Sequence, residues 1–142
     1  MINKDYRVRR PQQYDSLISV LKSEGVFSSF KSVLVFAAVI GFKQSKRIEF
    51  SDSSEKIPLH IFSDDVDIPL INCIALAETE DVNILRRESF EKALIIFEEY
   101  ACGGLAYLEG VIDLAHCKES IQRQIQDLGD NNLTIDITDL NL

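Results

Sequence analysis

The sequence predicts a mainly α-helical fold with one small β-hairpin. Three observations lead there. Apolar residues recur every three or four positions over much of the chain, the spacing of amphipathic helices. Period-two alternation is confined to short runs. Of 142 residues, 46% are hydrophobic and 27% charged, enough for one core and unlike a disordered chain.

The elements follow in order. Tyr6-Arg7-Val8-Arg9-Arg10 alternates bulky and basic residues, as in a short strand with Tyr6 and Val8 on one face and Arg7 and Arg9 on the other. Pro11 stands where a first helical residue belongs, and Tyr14, Leu17, Ile18 and Leu21 form one helical stripe behind it. Gly25 ends that helix as a left-handed cap, and Ser28 or Ser29 caps the next. This second helix, Phe30 to Phe42, is apolar nearly all round and is expected to be buried on most sides. The runs Arg47–Phe50 and Ile57–Phe62 read as strands. The polar turn of residues 51–56 joins them into a hairpin, with Pro58 at an exposed edge.

Ser63 to Asp67 reads as an acidic loop, and Pro69 to Ala77 as a short apolar helix. From Phe90 to Ala115 the apolar repeat predicts a long helix, or two helices meeting at Gly103-Gly104. A glycine inside a helix costs roughly 1 kcal/mol relative to alanine, so the pair marks a bend, a break or a close backbone contact. Ile121, Ile125 and Leu128 suggest one more helix, stopped by residues 129–132, and residues 134–138 alternate like a strand. The expected organisation is a single helical domain over residues 1–117 followed by an acidic extension over residues 118–142.

Charge is distributed unevenly. Through Phe50 there are nine basic and four acidic residues, or +5; from Ser51 onward there are six basic and nineteen acidic, or −13. The total of −8 hides a basic amino end and an acidic remainder. The opening residues carry charge and lack an apolar core, which argues against a secretory signal. The longest apolar run, Val33 to Ile40, is far shorter than the roughly 20 residues of a membrane helix. A cytoplasmic protein without a membrane role is expected.

Cys73, Cys102 and Cys117 are widely spaced and odd in number, which speaks against a disulfide framework. His116-Cys117 with His60 and Cys73 lacks the close pairing of zinc ligands, and Asp64, Asp65 and Asp67 sit on one loop rather than converging from several elements. Neither metal nor cofactor is expected. Cys102 before Gly103-Gly104 invites comparison with a nucleophile, but it lies in an apolar stripe and only two histidines exist to serve as base. No P-loop, G-x-S-x-G or H-E-x-x-H is present, so an enzyme is not expected.

Strand, proline-started helix, glycine turn and serine-capped helix over residues 6–42 is the order of the ribbon–helix–helix unit. There two chains pair short strands into a ribbon that enters the major groove, and arginine reads guanine. The amino end of the second helix offers free N–H groups to a phosphate. The predicted DNA-binding set is Lys4, Arg7, Arg9, Arg10, Ser28, Ser29 and Lys31, with Lys43, Lys46 and Arg47 extending the surface. An ordinary helical hairpin behind a basic amino end fits the same residues, and the second cluster also fits a solvated helix end.

Tyr6–Pro11, Val33–Phe42, Ile74–Thr79 and Phe97–Leu105 together resemble the DNA phosphorothioation-associated protein 4 family. The resemblance runs from about Tyr6 to Leu108 and does not include the tail after Ala115. The element order is also similar to that of DndE, the small DNA-binding protein of the modification machinery. The family resemblance implies an accessory role in bacterial defence that replaces a non-bridging phosphate oxygen of DNA with sulfur and restricts unmarked DNA. The expected partners are DNA, met by the basic amino end, and protein subunits of that system, with self-association through the ribbon. The alternative is an adaptor whose acidic carboxy-terminal half docks onto a basic modification or restriction subunit. The choice turns on whether the amino-terminal guanidinium groups face outward or are tied up within the fold.

Overall fold

In the computed structural model, the backbone is described for residues 5–140 and the side chains as far as Gly129. The chain divides into two compact units, Met1–Gly110 and Val111–Leu142.

The first unit is built on strand β1 (Arg7–Val8), helices α1 (Asp15–Ser23) and α2 (Phe30–Lys43), strand β2 (Ile57–Pro58), and helices α3 (Asp67–Thr79) and α4 (Phe90–Val111). Fold class is as the periodicity predicts: mainly helical with one small two-stranded antiparallel sheet. The stripe on α1 buries Leu17, Ile18 and Leu21, and the helix is followed by Gly25 at φ 75°, whose N–H donates to the Lys22 carbonyl. Ser29 caps α2, its hydroxyl accepting from the Ser32 N–H at 3.2 Å. One side of α2 is fully buried through Val33, Leu34, Ala37, Ala38, Ile40 and Gly41, whereas Val35, Phe36 and Val39 are only half-buried.

The strands pair differently from the expected hairpin. Val8 faces Ile57 and Arg7 faces Pro58, so the amino-terminal strand takes the place assigned to Arg47–Phe50. The pairing is prolonged on both sides: the Leu59 N–H donates to Tyr6 O at 3.0 Å, the Ser54 N–H to Arg10 O at 3.0 Å, and the Gln12 N–H to Asp52 O at 3.1 Å. Arg47–Phe50 forms no strand because its backbone is used elsewhere, the Ile48 N–H donating to the Glu99 carbonyl of α4 at 3.1 Å. The ribbon is thus made within one chain.

Gly103-Gly104 does not break α4, which is continuous over 22 residues. The glycines serve close backbone approach. A Cβ on Gly104 would lie 1.7 Å from the Ala37 carbonyl oxygen of α2, one on Gly41 2.0 Å from the Tyr100 carbonyl oxygen, and one on Gly103 1.7 Å from the Lys46 carbonyl oxygen. The crossing of α2 and α4 is therefore set by paired glycines on facing helices. Around it lie Leu34, Ile40, Phe97, Leu105 and Leu108, all essentially inaccessible. Phe62 meets Phe97 edge-on at 6.1 Å between centroids.

The second unit contains a short 3-10 turn, Leu114–His116, and α5 (Cys117–Leu140). The Asp113 carboxylate caps the turn through the Ala115 N–H, and the Ser120 hydroxyl accepts from the Asp113 N–H. The expected stop at residues 129–132 and strand at 134–138 are both replaced by continuous helix. Glycine and asparagine each cost about 1 kcal/mol or less in a helix, and no proline enforces an end.

Candidate functional site

The alternation that puts Arg9 on the opposite face from Val8 does not send it to solvent. Its Nε donates to Glu98 Oε1 at 2.8 Å, its own backbone N–H to Glu98 Oε2 at 2.8 Å, and Nη1 to the Phe50 carbonyl at 3.1 Å. The guanidinium carbon stands 4.4 Å above the Phe50 ring. Glu98 is 3% exposed, and burial pushes its carboxyl up from the ordinary range against the lowering effect of Arg9.

Arg47 is held by α3 and α4 together. Nη1 donates to Glu78 Oε2 at 2.6 Å and Nε to Glu99 Oε1 at 2.7 Å, while the Tyr100 hydroxyl donates to Glu78 Oε1 at 2.6 Å. Those bonds from Tyr100 and Arg47 hold the Glu78 carboxyl below its usual range. Burial, then the bond to Glu78, pushes the Tyr100 phenol up to about 12.

Lys31, in the first turn of α2, donates to Asp67 Oδ2 at 2.8 Å. Burial pushes the Asp67 carboxyl up, but hydrogen bonds from Lys31 and Ser63, with the Lys31 charge, hold it below the carboxylate range. Asp67 belongs to the first turn of α3 rather than to a solvated loop. Arg10 is 7% exposed, 3.8 Å from Asp15 through Nη2 and stacked 4.4 Å from the Phe30 ring.

Of the expected DNA-binding set, Arg9 and Lys31 are thus engaged by buried carboxylates, the exposed Arg47 is held by Glu78 and Glu99, and Arg10 stands 3.8 Å from the partly exposed Asp15. Arg7 and Lys46 are exposed, with no ion pair among the described residues; Ser28 and Lys43 are also exposed, and Lys4 lies outside the described residues. Arg10, Ser29 and Lys31 do come together, lining one cavity with Lys22, Phe30 and Lys56. Sequence reasoning missed the acidic partners. Glu98 follows Leu94 by four residues and so shares its buried face, a signal that a cation had to meet it.

Among the described residues, no three His, Cys, Asp or Glu gather where they would hold a metal. Likewise no helix there is long and apolar enough to cross a membrane.

Residues 7–134 match the family model of the DNA sulphur modification system-associated protein 4. The chain belongs to this family. The match spans both compact units and confirms the family resemblance. No curated protein matches, and no solved structure matches; nothing in these comparisons extends the likeness to DndE. The description makes the DNA sulphur modification system-associated protein 4 family an accessory one. In this member Cys102 is inaccessible, and burial pushes its thiol up to about 11, the opposite of what an activated nucleophile needs.

Proposed function

We propose that this DNA sulphur modification system-associated protein is a non-enzymatic adaptor whose acidic carboxy-terminal half docks onto a basic protein subunit of that system. The observation that carries the reading is the internal use of the amino-terminal cations: Arg9 by Glu98, Lys31 by Asp67, and Arg47 by Glu78 and Glu99. A DNA-binding surface needs several cations free to replace phosphate counterions. Pairing each of these with a carboxylate leaves the excess of acid from Ser51 onward as the dominant field, which favours a basic partner and repels a phosphate backbone. The strand pairing of β1 with β2 also removes the need for a second chain to complete the ribbon.

Affinity purification of the tagged full chain from cells carrying the whole system tests this. A modification or restriction subunit should copurify, and should be lost at high salt and on deletion from Lys118. A chain that purifies alone at every salt concentration refutes the adaptor.

The exposed Arg7 and Lys46 support a second reading, direct contact with DNA. Under that reading Arg7→Ala with Lys46→Ala removes a duplex gel shift given by the native chain; a shift unchanged by the pair rejects that surface.

A further inference from the structure

We propose that the cavity at the head of α2 binds a small phosphate monoester with an apolar body. The site has an anion end and an apolar wall. At the anion end, the N–H groups of Phe30 and Lys31 precede the first intrahelical bond and carry the positive end of a 14-residue helix dipole. No acidic residue occupies that first turn. Arg10 lines the cavity while more than nine-tenths buried; its Nε and Nη1 have no hydrogen-bond partner, and its Nη2 stands 3.8 Å from Asp15 Oδ1, which has none either. A buried guanidinium with unmet donors is costly to maintain and is relieved by an acceptor such as a phosphate oxygen.

Lys22 and Lys56 stand at the same cavity, against the single carboxylate of Glu55. Lys22 is kept over the Phe30 ring, 4.5 Å from its centroid, on which Arg10 also stacks. Lys31 adds little charge because Asp67 neutralises it. With Asp15 beside Arg10 and Asp67 on Lys31, the positive charge left for an anion is carried by Lys22 and Lys56.

The wall of Phe30, Ile57 and Ile61 is apolar, and the cavity measures about 310 Å³, within the range of small-molecule sites. This shape favours a compact ester over DNA, whose affinity needs cations spread along many phosphates. The inference does not depend on the adaptor reading.

Calorimetric titration of the full chain with phenyl phosphate, inorganic phosphate, phenol and a short duplex tests it. Phenyl phosphate should bind saturably at one site, inorganic phosphate more weakly, and phenol not measurably. Lys56→Glu and Lys22→Glu, both at exposed positions, should each weaken phenyl phosphate by about tenfold or more, the loss of a charged contact. Arg10→Met should abolish binding with the helical circular dichroism retained; if it unfolds the chain, the lysine variants carry the test. Absence of saturable phenyl phosphate binding, or affinity unchanged in both lysine variants, overturns the site. Equal affinity for inorganic phosphate overturns the apolar body. Displacement of phenyl phosphate by the duplex at comparable affinity assigns the cavity to DNA instead.

Discussion

Arg9 meets Glu98 twice, donating to one carboxylate oxygen from its guanidinium and to the other from its own backbone N–H, each at 2.8 Å. A residue near the amino end of the chain is thereby fixed to the middle of α4 across 89 positions of sequence. The backbone bond survives Arg9→Ala, but the charge does not. Arg9→Ala therefore leaves a 97%-buried carboxyl without its counter-ion, and should lower the unfolding free energy by about 3 kcal/mol in urea denaturation. Glu98→Ala, which leaves a cation still partly open to water, should cost less. Equal, small losses in the two variants would show that the pair is incidental.

The α2–α4 crossing predicts opposite signs for two glycine substitutions in one helix. Gly104→Ala drives a methyl group into the Ala37 carbonyl and should destabilise by about 3 kcal/mol or more. Gly110→Ala meets nothing within 4 Å and should stabilise by about 0.5–1 kcal/mol through helix propensity alone. Thermal or chemical denaturation of the two variants checks the contrast.

Acid should destabilise the fold through Asp67 and Glu78, both held below the ordinary carboxylate range. The unfolded chain takes up these protons at higher pH than the folded one. The contribution is therefore complete above about pH 4, near the unfolded values, and is lost as pH falls through the lower folded values. Glu98 acts with the opposite sign, since its raised carboxyl favours the protonated form in the fold. Asp67→Asn should flatten the acid limb of stability against pH, and Glu98→Gln should steepen it.

Thiol reactivity should separate Cys73 from Cys102. Cys73 is exposed and should react with a disulfide reagent in the native protein, whereas Cys102 is inaccessible with its thiol raised to about 11 and should react only on unfolding. Fast modification of Cys102 in the native state would reopen a nucleophilic role.

The helices were legible because their signals are local. Ser29, Gly25, the apolar run of α2 and the three-to-four spacing through α1 and α4 each depend on a few neighbouring residues. The strand partner was not legible: Val8 faces Ile57 across nearly fifty residues, and Arg47–Ile48 is drawn away by the bare backbone at Gly103, a tertiary effect. The family could be read from its motif blocks, and the outer face of the basic segment could not. Period-two alternation put Arg7 and Arg9 opposite Val8, but only Arg7 reaches solvent, whereas Arg9 meets Glu98 of α4. The adjacent Glu98 and Glu99 in the apolar middle of α4 were the clue that cations would come to meet them.

The central claim is that Arg9, Lys31 and Arg47 are spent on carboxylates of this chain, leaving too few cations for a surface that binds nucleic acid. A salt titration of the full chain against sulfur-modified and unmodified duplexes, read by fluorescence anisotropy, tests it most directly. The account predicts no measurable binding to either duplex at physiological salt and no sulfur preference. Tight binding that falls steeply with salt and disappears with Arg7→Ala and Lys46→Ala would contradict it.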